Sequence, residues 1–553
     1  MMSSARRRWA GLVFISVAVA LIIVDSTIIN VAIPAIVEDL GITSSEVQWV
    51  QEAYTLVFAS LLLVFGSLAD RVGRRRMLLI GVVVFTLASV GAALASSGGL
   101  LIAARFVQGV GGAMILPTTL SLLNATFRGR ERAIAFAVWG STIGGMAAVG
   151  PLLGGWLTTE FSWHWAFLIN VPLGILIVIG VLLTVDESRG DAQSIDVVGA
   201  LLSVITVGAL VFGLIEGRTY GWLTTEKHLT IGDWTWPWDV SPVAVAFVIA
   251  AVGLAAFIAW GLHRRRAGKP TILAFGLFRI PSFRNGNIAA MVVALGEFGL
   301  ILALPLWLQF VLGFQAVQTG LILLALAIGS FVASGVAGAL SGRVAPVWIV
   351  RAGIVAEIIG VAAVGFVIGP DASWLPLIPA LFVYGLGVGL ATAQLTGVVL
   401  ADVPTAEGGQ ASGTQSTARQ LGAALGIAIL GTILFSTTAT SLTAKLDDRG
   451  LPADERDQVV SSVVDSAGGA IAGLAASPQT APLADDAKAA FSEGTKYASF
   501  AAAGFLTLGL LATLSLGNGS RRDEPAEVEA AEPAGAAASV RHRHPRHDVG
   551  DLP

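Results

Sequence analysis

Cysteine is absent from the sequence, which excludes disulfide bonds, thiolate metal sites and cysteine nucleophiles. Charged residues are scarce as well, at 13% of the 553 residues, whereas soluble domains carry about 25%. The formal net charge is −4, so no basic excess indicates a nucleic-acid partner. The six histidines form no HExxH pattern. These absences argue against an enzyme, and we expect neither a metal nor a cofactor.

Long apolar runs take the place of the missing charge, because 55% of the residues are hydrophobic. A run of about 20 apolar residues is long enough to cross a bilayer as a helix. The runs predict an all-α integral membrane protein with fourteen spanning helices. In chain order these predicted helices 1 to 14 span 10–34, 48–68, 77–97, 100–122, 133–157, 165–185, 196–216, 241–262, 286–311, 317–341, 346–369, 374–398, 414–436 and 496–517.

The charges between the predicted helices indicate how the chain lies in the membrane. Lysine and arginine collect in the loops of one side, and basic loops stay in the cytoplasm. The opposite loops 37–46, 95–99 and 369–373 hold neither residue. We therefore expect both termini in the cytoplasm and a long outer loop at 437–495. The basic segments are 6–8, 71–76, 128–132, 263–269 and 521–522.

Two acidic residues stand at equivalent places of an internal repeat. Asp25 and Glu297 each lie in the middle of an apolar run, 272 residues apart, and the same shift places Gly41 on Gly313. A charged group at the centre of a spanning helix costs about 2.5–3.5 kcal/mol on insertion scales. Two such groups at matching positions predict a membrane transporter with ionisable groups at its centre.

Two further echoes support the repeat: 66–73 resembles 338–345, and 106–111 resembles 382–387. Six helices need fewer residues than the repeat distance, so two extra helices separate the halves. Parallel repeats of this kind place the binding site at the midplane between the bundles. The predicted domains are a six-helix bundle at 1–185, two inserted helices at 186–270, a second six-helix bundle at 271–517 and a disordered cytoplasmic tail at 518–553.

Four motifs follow one another in the first half: VDSTIINVAIP (24–34), GSLADRVGRRR (66–76), RFVQGVGGA (105–113) and GPLLGG (150–155). Through them the chain resembles the major facilitator superfamily, in particular its fourteen-helix drug:proton antiporters, over about residues 10–436. The resemblance implies a monomer in a bacterial cytoplasmic membrane that rocks two bundles around a central cavity. Such a protein exports lipophilic, amphiphilic or cationic compounds in exchange for protons.

The second motif is predicted to form a gate. Gly66 and Gly73 allow a tight turn and a close approach of helices 2 and 11. Asp70 can accept hydrogen bonds from a helix N-terminus or from an arginine. The resemblance implies that this contact locks the cytoplasmic side, and it includes Arg71 and Arg74 in the gating motif. The alternative, compatible with the first, is that the basic residues only anchor the topology.

Predicted helix 5 carries an antiporter motif of Gly150, Pro151, Gly154 and Gly155. Small residues four apart allow close contact between helix backbones, and a proline removes a backbone donor and permits a bend. The resemblance assigns this bend to antiporters and not to symporters, although Met146 stands where the family has glycine. Ordinary tight packing is the alternative reading of the motif, and a proton-coupled uptake symporter for a small solute is the alternative function.

Arg105 lies at a depth similar to that of Asp25, and a buried arginine needs a partner. Asp25 is the expected partner, with Glu52 on predicted helix 2 as a rival. In the second half Leu381 replaces Arg105. We therefore expect Glu297 to lack an equivalent cation and to be the more readily protonated acid.

In twelve-helix relatives four helices line the cavity, and they correspond to predicted helices 1, 4, 9 and 12 here. The resemblance thus adds Tyr384 to a predicted site for protons and substrate that also holds Asp25, Glu297, Arg105 and Glu52.

Three other polar residues are predicted to have structural roles. Glu357 belongs to the peripheral helix 11, Arg419 is expected to snorkel to the cytoplasmic end of helix 13, and His164 lies at an interface. Two other classes of function stay open at this point: a membrane-embedded enzyme, which would need a nucleophile and base, and a sensor built on a transporter fold.

Overall fold

The computed structural model describes residues 4–42, 44–190, 196–231, 234–340 and 343–516. Within them the chain is helical apart from one two-stranded hairpin and the connections. The predicted tail 518–553 lies outside the described residues. Gly342 also lies outside them. The repeat aligns this glycine with Asp70, and because it has no carboxylate the sequence predicts a gate contact on one half only.

The first half consists of five long helices and a broken sixth. The sixth predicted helix is divided into α6 and α7, which together form a candidate span of His164–Thr184. The helices are α1 (Ser4–Leu40), α2 (Ser44–Val72), α3 (Arg74–Ala93), α4 (Gly98–Thr126), α5 (Gly129–Glu160), α6 (His164–Leu168) and α7 (Asn170–Thr184).

The inserted pair consists of α8 (Val197–Tyr220) and α9 (Pro242–Arg266), joined through the hairpin of β1 (Thr230–Ile231) and β2 (Trp234–Thr235). One buried carboxylate, that of Asp196, ties the two helices together. It accepts a hydrogen bond of 3.0 Å from the Gly199 amide and one of 2.9 Å from the Trp260 indole of α9. The first of these bonds caps the N-terminus of α8.

The second half repeats the plan of the first and adds helices beyond it. Gly41 and Gly313, the pair that the repeat superposes, both adopt a positive φ, of 61° and 71°, just after the first helix of their half. The elements are a 3-10 helix (Phe275–Arg279), α10 (Pro281–Phe310), α11 (Ala316–Leu340), α12 (Pro346–Val367), α13 (Leu377–Val399), a 3-10 helix (Thr405–Glu407), α14 (Gly408–Asp448), α15 (Ala453–Asp465), α16 (Ala470–Ala475) and α17 (Ala481–Thr513).

Thirteen stretches of the described chain are long and apolar enough to span a membrane, and α5 supplies a fourteenth as a bent pair. The segments Gly129–Met146 and Val149–Glu160 meet at 43°. The bend lies where Pro151 lacks an N–H for the carbonyl of Ala147, four residues earlier. The prediction of an all-α membrane protein with a proline bend in helix 5 is confirmed.

The region 437–495, predicted as a long loop, is largely helical. Helix α14 continues to Asp448 and α17 begins at Ala481, with α15 and α16 between them. The two long helices keep pairing beyond the apolar runs because Leu442, Leu446 and Phe491 remain buried. Hydropathy alone could not predict this extension, since the outer faces of both helices are polar.

The inserted helix α8 lies in the seam between the halves. Val207 and Val211 are buried in one cluster with Ala59 of α2, and Leu421 of α14 packs against that cluster. Leu214 is buried with Ala424 and Ala428 of α14. The inserted pair therefore contacts both bundles.

Candidate functional site

Asp25 is fully buried on α1 and accepts three hydrogen bonds from two other helices. Arg105 of α4 donates to Oδ2 from Nη1 at 2.6 Å. Oδ1 accepts from Gln108 Nε2 at 3.1 Å and from Asn170 Nδ2 of α7 at 2.7 Å. The ion pair predicted between Asp25 and Arg105 is present, and each oxygen of the carboxylate has at least one donor.

Further contacts hold these three donors in place. Ser89 of α3 accepts from Gln108 at 2.8 Å and from Asn170 at 3.1 Å. Arg105 also donates to the Val50 carbonyl at 3.0 Å, and its guanidinium lies 4.5 Å from the centroid of the Tyr54 ring. Each donor is thus oriented by another group, as in other buried polar networks.

The site has three members that the sequence did not predict, namely Ser89, Gln108 and Asn170. Gln108 lies inside a quoted motif, three residues after Arg105, on the same face of α4. Asn170 interrupts an apolar stretch, and a polar side chain in such a place is the signal that could have identified it. Glu52, the rival partner for Arg105, is half-buried and lies near Tyr220 and Glu216 of α8.

Glu297 is buried on α10 and has fewer donors. Thr392 of α13 donates to Oε1 at 2.7 Å, and Arg419 of α14 approaches Oε2 to 3.4 Å. Tyr384, predicted to belong to the site, donates to the Glu297 backbone carbonyl at 3.2 Å and not to the carboxylate. Its ring lines a small apolar pocket with Leu300, Leu304 and Leu381.

The expectation that Glu297 lacks a cation was wrong, and so was the snorkelling of Arg419. The partner comes from α14, whereas the residue that aligns with Arg105 lies on α13. Gly422 and Gly426 of α14 face the backbone carbonyls of Met291 and Leu295, which leaves no room for a side chain at either glycine. This close approach of α14 to α10 carries Arg419 to the carboxylate.

The gating motif joins the two halves at the basic end, which is the end that carries 71–76 and 128–132. Asp70 is buried and accepts from Arg74 Nη2 at 2.7 Å and Nε at 3.0 Å. The same carboxylate accepts from the backbone amides of Gly409 and Gln410, at 2.8 Å and 3.1 Å. These amides begin α14, so Asp70 caps a helix of the other half and faces its positive dipole end.

Gly66 and Gly73 serve the motif in different ways. A Cβ on Gly66 would lie 2.6 Å from the Gly409 carbonyl and 2.7 Å from Gly413 Cα. The partner of helix 2 is therefore α14, predicted helix 13, and the expected approach of helix 11 was wrong. Gly73 turns the chain with a φ of 114°, and Arg71 is exposed one turn before Arg74.

A short segment after α7, residues 186–190, passes through the same region and was not predicted. We call it the strap. The Gly190 amide donates to the Asp70 carbonyl at 2.8 Å, and the Arg74 amide donates to the Ser188 carbonyl at 2.9 Å. Glu187 accepts from the amides of Arg75 and Arg76 at the start of α3, at 3.0 Å and 3.2 Å. The strap thus connects the inserted pair to the gating motif.

The glycines of helix 5 face two neighbours. Gly150 lies against Thr27 of α1, and a Cβ on Gly154 would lie 2.8 Å from Ile28 of the same helix. A Cβ on Gly155 would lie 2.7 Å from Val317 of α11. The motif therefore packs α5 against the helix that carries Asp25 and against the opposite half.

Comparison with known proteins is consistent with this architecture. The family profile of the Major Facilitator Superfamily matches residues 15–427. A probable actinorhodin transporter of Streptomyces coelicolor is 36% identical over 80% of this chain and 75% of that protein. The multidrug efflux pump LfrA of Mycolicibacterium smegmatis is 32% identical over 88% of this chain and 92% of that protein.

A solved structure gives the same answer for the fold. The proton:xylose symporter XylE superposes with a TM-score of 0.56 at 13% identity, over 92% of this chain and 95% of that one. Its likeness concerns the fold alone. The match of the family profile covers most of this chain, and the fold, the repeat and the motifs agree with it. The chain belongs to the major facilitator superfamily and is a multi-pass membrane transporter.

Proposed function

We propose that this protein is a proton-coupled antiporter that exports lipophilic, amphiphilic or cationic compounds from the bacterial cytoplasm. The observation that carries the proposal is the pair of buried carboxylate–arginine contacts, one in each half, at Asp25–Arg105 and Glu297–Arg419. The direction of transport rests on the relatives, which are named as an antibiotic transporter and a multidrug efflux pump. We place the protein in the cytoplasmic membrane as a monomer, with both termini inside.

The chemistry of coupling follows from what a buried carboxylate can bind. Glu297 can be neutralised by Arg419, by a proton or by a cationic substrate, and these three compete for two oxygens. A proton that binds Glu297 frees Arg419 and weakens the hold on a cation.

An antiport cycle also requires a change of access to the central site, and the gating motif can provide it. The bonds from Asp70 to α14 hold the basic end closed, together with a contact of 3.1 Å from Arg132 to the Gly397 carbonyl. A contact of 3.3 Å from Gln394 to the Ala133 carbonyl joins the halves nearby. Arg74 also donates to the Thr405 carbonyl of the second half at 2.7 Å. Access from the cytoplasm requires these contacts to break, so in the proposed alternating-access cycle the described conformation is the one closed to the cytoplasm.

Inverted membrane vesicles test the direction and the coupling together. A growth-inhibition screen in a pump-deleted host first selects a compound to which the protein confers resistance. With an acidic lumen, the vesicles should accumulate that compound and lose luminal protons, and a protonophore should abolish both effects. Vesicles with Asp25→Asn and Glu297→Gln together provide the inactive control. Proton-driven movement out of the inverted vesicles would instead identify an uptake symporter.

A further inference from the structure

Glu357 is a buried acid that the proposed cycle does not use. It lies in the middle of α12 with no exposed surface, and neither of its carboxyl oxygens has a hydrogen-bond partner among the described residues. Asp25 and Glu297, by comparison, are both bonded. The sequence predicted a structural role for Glu357, yet a structural carboxylate is normally satisfied.

The packing around Glu357 is built to hold this side chain. A Cβ on Gly387 of α13 would lie 2.6 Å from Glu357 Cγ, and one on Gly360 would lie 2.5 Å from the Tyr384 amide. Gly387 therefore leaves the space that the acid occupies, and Gly360 allows α12 and α13 to approach closely. An apolar side chain could fill this site without leaving an orphaned polar group, so the acid is not explained by packing.

The charges near Glu357 do not balance. The charged groups that act on Glu357 are Glu297 of α10 and Arg419 of α14. The neighbouring hydroxyl is that of Tyr384 of α13, which already donates to a carbonyl. On its own helix, Arg351 donates to the Thr513 carbonyl near the end of α17 at 3.1 Å. Arg419, which contacts Glu297, is thus the one arginine among the charged groups that act on Glu357.

An ionised carboxylate at Glu357 would cost free energy, because it has neither a hydrogen-bond donor nor a cation of its own. The neutral acid avoids that cost. We infer that Glu357 is a proton-binding site, which holds a proton in the described conformation and shares Arg419 with Glu297. When Arg419 turns from Glu297 to Glu357, the proton can leave Glu357, and Glu297 can accept one, so the charge of the cluster is conserved.

The inference rests on the proposed function for its role in the cycle but not for the proton itself. Infrared spectroscopy of the purified protein in liposomes measures that proton directly, since a neutral carboxyl group has its own C=O stretching band. Glu357→Gln should lose a neutral-carboxyl band at pH 7 that the wild type has. Asp25→Asn removes an equally buried carboxylate and should leave the band unchanged.

A second variant keeps the test decisive if Glu357→Gln does not fold. Glu357→Asp retains a carboxyl group on a shorter side chain, so the band should shift in frequency and not vanish. A neutral-carboxyl band that is identical in the wild type and in every folded variant of Glu357 would overturn the proposal. Loss of the band in a protein that shows no proton-coupled transport would keep the proton site and reject the antiport mechanism.

Discussion

The two halves place an acid at the same point of the repeat but surround it differently. Asp25 has an arginine at 2.6 Å and two amide donors, each of them held by Ser89. Glu297 has one hydroxyl at 2.7 Å and an arginine at 3.4 Å. The first site is thus held by three donors, whereas the second has one short hydrogen bond and one longer contact with its arginine. Duplication of a fold therefore does not duplicate the chemistry of its centre.

Arg105→Ala should have the largest effect, because it leaves the buried carboxyl group of Asp25 without its cation. Removing one partner of a buried pair costs about 3–5 kcal/mol. We expect a large fall in thermal stability in detergent and loss of transport. Arg105→Lys keeps the charge but loses the planar fork, so it should recover part of both. If Arg105→Ala unfolds at the wild-type temperature, the first site is not the rigid one.

Glu297→Gln should separate coupling from binding. The carboxylate makes one short hydrogen bond, so its loss should cost only about 1 kcal/mol of stability. Proton-driven export in proteoliposomes should be abolished, while exchange of labelled for unlabelled compound persists. Asp25→Asn is the matched variant, and its stability should fall further because three donors lose a charged acceptor. Wild-type proton-coupled export by both variants would refute the assignment of these acids to coupling.

Asp70→Asn should weaken the gate without touching either central acid. The amide keeps the shape of the side chain but loses the charge that faces Arg74 and the start of α14. A loss of about 1.4 kcal/mol corresponds to a tenfold shift in the population of the closed state. Turnover should fall while the equilibrium affinity for the compound stays near the wild-type value. Arg76→Ala, at an exposed residue in the first turn of α3, is the control and should change neither quantity.

Arg419→Lys should have the smallest effect. The contact with Glu297 is 3.4 Å long and has one donor, so a lysine of similar reach can keep the charge there without the loss of a bidentate fork. Thermal unfolding and proton-driven export should both stay near wild type, in contrast to Arg105→Lys. Equal losses in the two lysine variants would show that the halves are held with similar strength.

The contrast between the two halves also explains which parts of the site could be predicted from the sequence. Asp25, Arg105 and the gating motif lie in stretches whose order and spacing are informative, so their pairing could be predicted. Arg419 could not be placed, because the apolar run begins at 414 and suggests a position near the helix end. Helix α14 in fact begins at Gly408. Arg419 thus lies eleven residues inside it, about 16 Å along the axis.

The surroundings of Glu357 and the helices of the region 437–495 could not be predicted, for a related reason. Hydropathy reports which segments enter the membrane but not which helix faces which. The unbonded state of Glu357 depends on Gly387 of the next helix, and the helices beyond 437 depend on buried contacts between α14 and α17. Both are tertiary effects, which one sequence without relatives does not contain.

The strap has a mechanical consequence. Its bonds run from 186–190 to α2 and α3, so they stay intact when the bonds from Asp70 to α14 break. The strap precedes α8 in the chain and is bonded to the first bundle, so we expect α8 to stay with α2 in the proposed cycle while α14 moves. The relative motion then falls on the contact of Leu214 with Ala424 and Ala428, whose small side chains offer little interlocking. If the proposed cycle operates, we expect the inserted helices to offer the second bundle a surface along which it moves.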